Sequence, residues 1–450
     1  MIHNKIRDLL SPIEKILLSF VVLIFTGALL LLLPCSTVSG ISFIDALFTS
    51  TSAVCVTGLV VLDTAKDFTF FGQVIILFLI QFGGLGIMTF SIAMLTVISG
   101  SISIKWRFTF ESFYSDIRRL PIKSLLIKVV KYTFIIELTV AVILFTQFIK
   151  AHPFPEAVWH SLFHAISGFC NAGFSTFSDN LVSLNTNTVV LLAIGIDIIL
   201  GGLGFLVLSE CVRLRFRGKA GIFSQLTLHS KFAIVITLIL IFGGMAGFLI
   251  LEWKYCLTGF SLKDKLLNSF FQSVTCRTAG YNSVHIGSLR ECTLLMMIAL
   301  MFTGGSPGSI AGGVKTTTMG VVVCFLYMKF RGNRQVVFWN RALGNDTVEK
   351  SATLFIIALI FISVATFFLT ALESLQVRNV YLSSLFEVTS AFGTVGLSTG
   401  ITTALSAWGK LLLCVVMYTG RLGPLTIMSA LTSEKKELNI LYPEEHIMIG

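Results

Sequence analysis

Charge is what this sequence has least of. Of its 450 residues, 12% are Asp, Glu, Lys or Arg and 55% are hydrophobic, about half the charged share usual in a soluble chain. With a mean hydropathy of +0.88, that deficit excludes a soluble globular protein of this length. Cysteine offers no framework either. The nine cysteines are scattered and no C-x-x-C occurs, so neither a disulfide scaffold nor a zinc site is indicated, and buried free thiols are expected. The seven histidines form no H-E-x-x-H and no Ser/His/Asp grouping, which leaves an enzyme without its usual residues. The N-terminal apolar run lacks an A-x-A site and leads directly into patterned sequence, so it is not expected to be a cleaved signal. No linker exceeds about 30 residues, too short for a soluble regulatory domain within the chain.

What the sequence does have is long apolar runs, at 17–33, 134–148, 232–251 and 354–372, on the scale of the ~20 residues that cross a bilayer. The expected solvent is lipid. The net charge of +10 is a matter of placement. Seventeen of the 33 Lys and Arg lie in three linkers, among them Lys105, Arg107, Arg118 and Arg119, Arg213 to Lys231, and Lys329 to Lys350. With both termini that side holds 22, against eight in the other loops. Cytoplasmic loops carry the excess of basic residues. Both termini and the three linkers are therefore expected in the cytoplasm of a multi-pass cell-membrane protein, and no nucleic-acid face is indicated.

The chain repeats itself four times. FTSTSAVCVTG at 48–58, FHAISGFCNAG at 163–173, FFQSVTCRTAG at 270–280 and FEVTSAFGTVG at 386–396 each run from a Phe to a Gly ten residues on. A second marker, GGLG or a variant, begins 25, 28, 24 and 24 residues after that Gly, at Gly83, Gly201, Gly304 and Gly420. Two markers in four registers predict four tandem units of helix, pore loop and helix. The units are 1–100, 101–217, 218–340 and 341–450, with pore loops at 43–60, 158–175, 265–283 and 382–398. The expected fold class is all-α and integral to the membrane: eight transmembrane helices in four repeats around a pseudo-fourfold central pore. The ten-residue motifs are too short to span and too polar to face lipid, so they should re-enter and line a cavity.

Such loops suit a cation. A selective pore replaces the hydration shell with backbone carbonyls aimed at one axis, a conformation glycine adopts most easily. Gly58, Gly173, Gly280 and Gly396 are expected where each short helix ends, with helix C-termini presenting partial negative charge to the axis. Asp45 and Glu387 are expected early in their helices. The candidate filter adds the residues beside each glycine: Val56 and Thr57, Asn171 and Ala172, Thr278 and Ala279, Thr394 and Val395.

These loops, VTGL, NAGFS, RTAGYNS and GTVGLS, resemble the Trk/Ktr/HKT superfamily of potassium transporters, as do GGSPGSIAGGVKTTT at 304–318 and GRLGPLT at 420–426. The likeness covers essentially the whole chain and is closest to the membrane subunit of Ktr-type potassium uptake systems. It implies one potassium pathway per subunit with a filter glycine from each repeat. In plant relatives a Ser at the first position accompanies sodium transport, so Gly58 favours potassium, with sodium possible as a second ion. It also implies a homodimer docked on a cytosolic nucleotide-binding ring. No cofactor is expected. The basic linkers and the tail LYPEEHIMIG are candidate contacts with the ring, or with anionic lipid.

The third repeat departs from the others at 303–320. Gly304, Gly305, Gly308, Gly312, Gly313 and Pro307, with Ser306 and Ser309 between them, cannot sustain a helix when each Gly costs ~1 kcal/mol and Pro ~3. A broken helix with a loop beneath the filter is predicted, and the resemblance implies that this loop gates. Gly308, Gly313 and Lys315 approach a Walker pattern, but Val314 intervenes and no strand precedes. Arg421 replaces the second marker Gly at membrane depth, where it should face the cavity as a barrier or meet the gate loop. Lys315 either joins it or snorkels to the cytoplasmic face. Arg277 is expected to brace the filter from behind, Glu137 and Asp197 to be paired polar groups or ion sites, and His164 to be a satisfied core residue. A sodium or unselective carrier of the same architecture is the rival within transport.

Overall fold

A computed structural model of the chain describes residues 12–86, 122–215, 225–333, 335–339, 341–373 and 379–423. The basic residues Lys105, Arg107, Arg118, Arg119, Arg217, Lys219 and Arg334, and the tail at 441–450, lie outside the described residues.

The regular structure of the described residues is almost wholly helical. In order it forms α1 (Pro12–Leu31), α2 (Phe43–Val54), α3 (Phe70–Gly84), α4 (Ile122–Phe148), α5 (Phe154–Phe169), α6 (Thr188–Leu203) and α7 (Phe205–Arg215). There follow α8 (Leu228–Glu252), α9 (Leu262–Thr275), α10 (Glu291–Phe302), α11 (Thr316–Phe330), α12 (Asn345–Leu372), α13 (Val380–Gly393) and α14 (Ala407–Leu422). A two-residue ribbon, β1 (Val337–Phe338) against β2 (Arg341–Ala342), joins α11 to α12. Among the described residues, three stretches are long and apolar enough to cross a membrane: Val129–Phe148, Leu228–Glu252 and Asn345–Leu372. Each opens a sequence repeat.

Local sequence explains where the short helices start. Ser42, Ser261 and Asn379 cap α2, α9 and α13 by accepting from the N–H three residues on, which satisfies a donor the helix leaves orphaned. Pro153 precedes α5 and Pro155 lies in its first turn, where a missing N–H costs nothing. Asp45 is in the first turn of α2, as expected, and pairs with Lys410 of α14 at 2.7 Å. Glu387 is not early in its helix. It lies midway along α13, fully buried, and accepts from Ser398 and Thr402 and from the Thr399 N–H.

Packing follows a closed order. The first and short helices of each repeat pair as α1–α2, α4–α5, α8–α9 and α12–α13. The helix after each short helix then packs on the short helix of the next repeat: α3 on α5, α6 on α9, α10 on α13, and α14 back on α2. The second-marker glycines sit at these joints. A Cβ on Gly83, Gly201 or Gly420 would strike the carbonyl of Val54, Phe169 or Phe392, respectively. Each of those carbonyls belongs to the residue four before that repeat's loop glycine, so the marker is a point of backbone-to-backbone contact.

Repeat three is offset by one residue. Phe48, Phe163 and Phe386 are fully buried, but in α9 the fully buried ring is Phe271, not Phe270. Likewise Ser50 donates to Ile24 O at 2.7 Å, and its counterpart Ser273 donates to Ile241 O at 2.6 Å. These serines lie eight and seven residues before their glycines, so the third loop is one residue shorter. The Phe270-Phe271 pair hid this in the sequence.

Substituting Gly420 by Val should therefore overpack the α14–α13 joint and destabilise the folded chain by about 1–3 kcal/mol. Gly243→Ala, where an added Cβ meets nothing within 4 Å, should leave stability unchanged or raise it. Melting of both variants in detergent, followed by size-exclusion, decides this: equal melting temperatures would contradict the joint.

Candidate functional site

The four short helices do not end at the loop glycines. They stop three to five residues earlier, at Val54, Phe169, Thr275 and Gly393, and a short non-helical segment carries the chain on. Its backbone is unusual in the same way four times. The residue two before each glycine has positive φ: Val56 at 54°, Asn171 at 56°, Thr278 at 70° and Thr394 at 49°. The glycines follow at 89°, 69°, 76° and 90°. A left-handed conformation at a β-branched residue costs on the order of 1–3 kcal/mol and survives only where its surroundings over-determine it. Two positive-φ residues separated by one position also set this backbone apart from an extended strand.

The surroundings that hold this backbone are hydroxyls. Gly58 N–H donates to Ser52 Oγ at 3.0 Å and Gly396 N–H to Ser390 Oγ at 3.1 Å. In the other two loops the hydroxyl donates instead. Ser167 Oγ donates to Phe174 O at 2.8 Å, and Thr275 Oγ1 to Tyr281 O at 2.6 Å. The N–H groups of Thr57, Ala172 and Val395 donate to Ser52 O, Ser167 O and Ser390 O, each at 2.8 Å. In the shorter third loop Ala279 N–H reaches Thr275 O at 3.0 Å. Tyr281 OH, donating to Phe174 O at 3.1 Å, ties the third loop to the second.

The four glycines form a closed ring. A Cβ on Gly58 would strike Ala172 O and lie 3.1 Å from Gly173 Cα. One on Gly173 would lie 2.7 Å from Ala279 O and 2.8 Å from Gly280 Cα. One on Gly280 would lie 2.5 Å from Val395 O and 3.2 Å from Gly396 Cα. One on Gly396 would strike Thr57 O and lie 2.9 Å from Gly58 Cα, which closes the circuit. A side chain at any of the four would displace the neighbouring repeat's backbone and so change the spacing of these oxygens. The arrangement brings the backbone oxygens of Thr57, Ala172, Ala279 and Val395 together, each beside a neighbouring repeat's glycine. It also directs four helix C-termini, with their partial negative charge, to one place. Chemically this is a cluster of hard, uncharged oxygens biased toward a cation.

A family model described as TrkH, cation transport protein, matches residues 7–438. The chain belongs to the TrkH family. That is a family of transporters and not of enzymes, and with its apolar helices the chain is a membrane-embedded protein. It is 38% identical over 455 residues to the potassium/sodium uptake protein NtpJ of Enterococcus hirae, covering 100% of both chains. It is 37% identical over 446 residues to the Ktr system potassium uptake protein B of Bacillus subtilis, covering 98% of this chain and 97% of that one. Among solved structures it resembles the potassium transporter TrkH from Vibrio parahaemolyticus, with a TM-score of 0.73 over 94% of this chain and 86% of that chain. At 19% identity that likeness concerns the fold alone.

In this TrkH-family chain the segment between α10 and α11 is the second unusual feature. Residues 303–315 are not helical. The segment folds back on itself through Gly304 N–H to Val314 O at 2.8 Å and Thr316 N–H to Gly305 O at 3.0 Å. Ser306 N–H donates to Gly202 O at 3.0 Å, and Phe205 N–H to Gly308 O at 3.1 Å, so the end of α6 holds one side. Arg421 holds the other, donating from its two Nη atoms to Ile310 O and to Gly83 O. Gly312 and Gly313 lie against the fourth loop: a Cβ on Gly312 would strike the Thr394 side chain, and one on Gly313 would be 3.2 Å from Gly393 Cα. Lys315 precedes α11, half-buried, and donates to Ala311 O at 2.7 Å rather than running along the helix to its far end.

The remaining candidates take structural positions. Arg277 is buried and donates to Thr237 Oγ1 of α8 at 3.2 Å, on the outer side of the third loop. His164 is buried with its ring nitrogens 2.7 Å from His160 O and 2.9 Å from Ser175 Oγ. Glu137 accepts from Gln81 at 3.3 Å, whereas Asp197 is buried beside Gly168 and is not bonded to Glu137. Sequence reasoning missed the serines that hold the loops, although Ser52, Ser167 and Ser390 recur six residues before their glycines.

If those hydroxyls hold the strained backbone, Ser52→Ala should cost about 1–1.5 kcal/mol locally. Amide hydrogen exchange at 56–58 would then rise about tenfold, leaving 394–396 unchanged. Equal exchange at 56–58 in Ser52→Ala and wild type would show that the hydroxyl is dispensable.

Proposed function

We propose that this chain takes up potassium through a single central pore formed by its four repeats. The bounds are 1–100, 101–217, 218–340 and 341–450, with eight transmembrane helices around a pseudo-fourfold axis. The observation that carries this is the closed ring of Gly58, Gly173, Gly280 and Gly396, with a backbone carbonyl of the preceding residue beside each. Carbonyls in that number replace the hydration shell of a monovalent cation, and their fixed spacing chooses between ions. Val56, Thr57, Asn171, Ala172, Thr278, Ala279, Thr394 and Val395 are the rest of the filter. Relatives named for potassium uptake, one of them also for sodium, support potassium as cargo with sodium as a second or coupled ion.

The segment Gly304, Gly305, Ser306, Pro307, Gly308, Ser309, Gly312, Gly313 and Lys315 is the gate. It lies against the Thr394 side chain and Gly393, at the foot of the fourth loop, and its hydrogen bonds to α6 and Arg421 are few enough to exchange. Arg421 closes the pathway in two ways. It puts a positive charge under the filter, and it ties the gate to repeat one through Gly83 O. The protein sits in the cell membrane with both termini cytoplasmic, in keeping with the basic linkers. The Ktr relatives are named as parts of a system, which supports a partner subunit; in this reading the chain works as a homodimer with a cytosolic nucleotide-binding ring. The tail and basic linkers would contact that ring.

Uptake of potassium and sodium by a potassium-uptake-deficient strain tests the filter. The native chain should rescue growth on potassium, and Gly58→Ser should relax selectivity toward sodium. Rescue with unaltered selectivity in Gly58→Ser would remove the ring from the filter role.

The gate is tested in proteoliposomes. Arg421→Ala removes two charge-assisted hydrogen bonds, each worth roughly 1.5–3 kcal/mol, so resting potassium flux should rise by about tenfold or more. An unchanged or lower flux in a well-folded variant would refute the barrier.

A further inference from the structure

One group of side chains away from the ring has the donor set of a metal centre. His152, Glu156 and His160 each offer a ligand atom, and these atoms lie within 4.8 Å of one another. Glu156 and His160 are four residues apart on α5, on one helical face. His152 stands just before the helix, and the Pro153–Phe154–Pro155 entry restrains the backbone that brings it over the first turn. His152 Nδ1 is 3.9 Å from Glu156 Oε2, and the imidazoles of His152 and His160 meet edge to face with centroids 4.9 Å apart.

We propose that His152, Glu156 and His160 bind a divalent transition metal, zinc in particular, with the fourth position open to water. Two imidazoles and a carboxylate are the donors such an ion takes, whereas calcium and magnesium prefer all-oxygen sets. Tetrahedral zinc with bonds of ~2.0–2.1 Å needs ligand atoms roughly 3.3 Å apart, so separations now within 4.8 Å must contract by up to about 1.5 Å. The side chains of His152 and Glu156 are 32% and 61% exposed, free to rotate inward and open to an arriving ion. His160 is already prepared. Its Nδ1 is 2.7 Å from Thr176 Oγ1, which leaves Nε2 for the metal, the outer-sphere arrangement that orients ligating histidines. Glu156 in the first turn of α5 offsets the positive end of the helix that would otherwise repel a cation.

The centre would be joined to the second loop. Thr176 lies three residues after Gly173, and Ser175 contacts His164. The Phe177 ring lies against His152 at 5.8 Å and His160 at 4.8 Å. A bound metal would pin this post-glycine segment to α5. Any effect on transport rests on the filter reading above; the binding does not.

Zinc titrated calorimetrically into the purified full-length protein tests the site, with cobalt as a spectroscopic stand-in. Wild type should bind one zinc saturably at this centre, and the half-exposed His152→Ala should weaken it at least tenfold while eluting normally on size-exclusion. Thr176→Val, which keeps all three ligands, should weaken binding by roughly 10–100-fold through loss of the outer-sphere bond. The cobalt spectrum should lack a thiolate charge-transfer band, which separates this site from the nine free cysteines. Zinc binding unchanged in His152→Ala, a thiolate band, or no saturable binding by wild type would each overturn the proposal. In the uptake assay, external zinc should slow wild type and spare His152→Ala. Insensitive uptake with intact binding would sever the link to the filter and leave the metal centre standing.

Discussion

Everything about this architecture turns on backbone meeting backbone with no side chain between. Around the ring, each loop glycine presents its α-carbon to a carbonyl of the next repeat, at separations where a methyl group would collide. One level away, Gly83, Gly201 and Gly420 repeat the device between a following helix and a short helix. Side chains hold cores together by interdigitating. Here the surface brought together is main chain, and its oxygens approach one another because the four glycines beside them carry no Cβ atom.

That constraint raises a second problem, since backbone brought so close must be held in sparsely populated conformations. Val56, Thr278 and Thr394 sit at positive φ despite branching at Cβ. The structure offsets the strain with buried hydroxyls from the last turn of each short helix. Those hydroxyls are satisfied by the same act, because a buried hydroxyl facing hydrocarbon would be costly. Ser52, Ser167, Thr275 and Ser390 are thus doubly determined, by what the loop needs and by the cost of burying an unpaired hydroxyl.

Repeat three shows how one unit can be altered without breaking the circuit. Its loop is a residue shorter, and its second helix gives way to 303–315 before resuming as α11. The break is tolerated because neighbours supply the missing partners. Gly202 O, the Phe205 N–H and Arg421 take up groups that a continuous helix would have satisfied internally, as buried irregular backbone requires. Arg421 in turn donates to the backbone carbonyls of Ile310 and Gly83.

Much of this was legible in residue order. Apolar runs announce helices, because lipid demands them, and the fourfold Phe-to-Gly and GGLG markers announce a repeated unit, because a close contact tolerates only glycine. The instability of 303–315 as helix follows from its glycines and proline alone. Other features were not legible. The helices stop short of the loop glycines, Glu387 lies mid-helix, and the third register belongs to Phe271, since burial, not spelling, decides between adjacent phenylalanines. The left-handed residues two before each glycine contradict local preference and exist only because four loops press on one another. Which carbonyl faces which glycine, what Arg421 reaches, and that His152 meets His160 depend on chain segments brought together from a distance. Residue order sets which conformations each segment can bear; only the assembled molecule selects among them, because the selecting contacts come from other repeats.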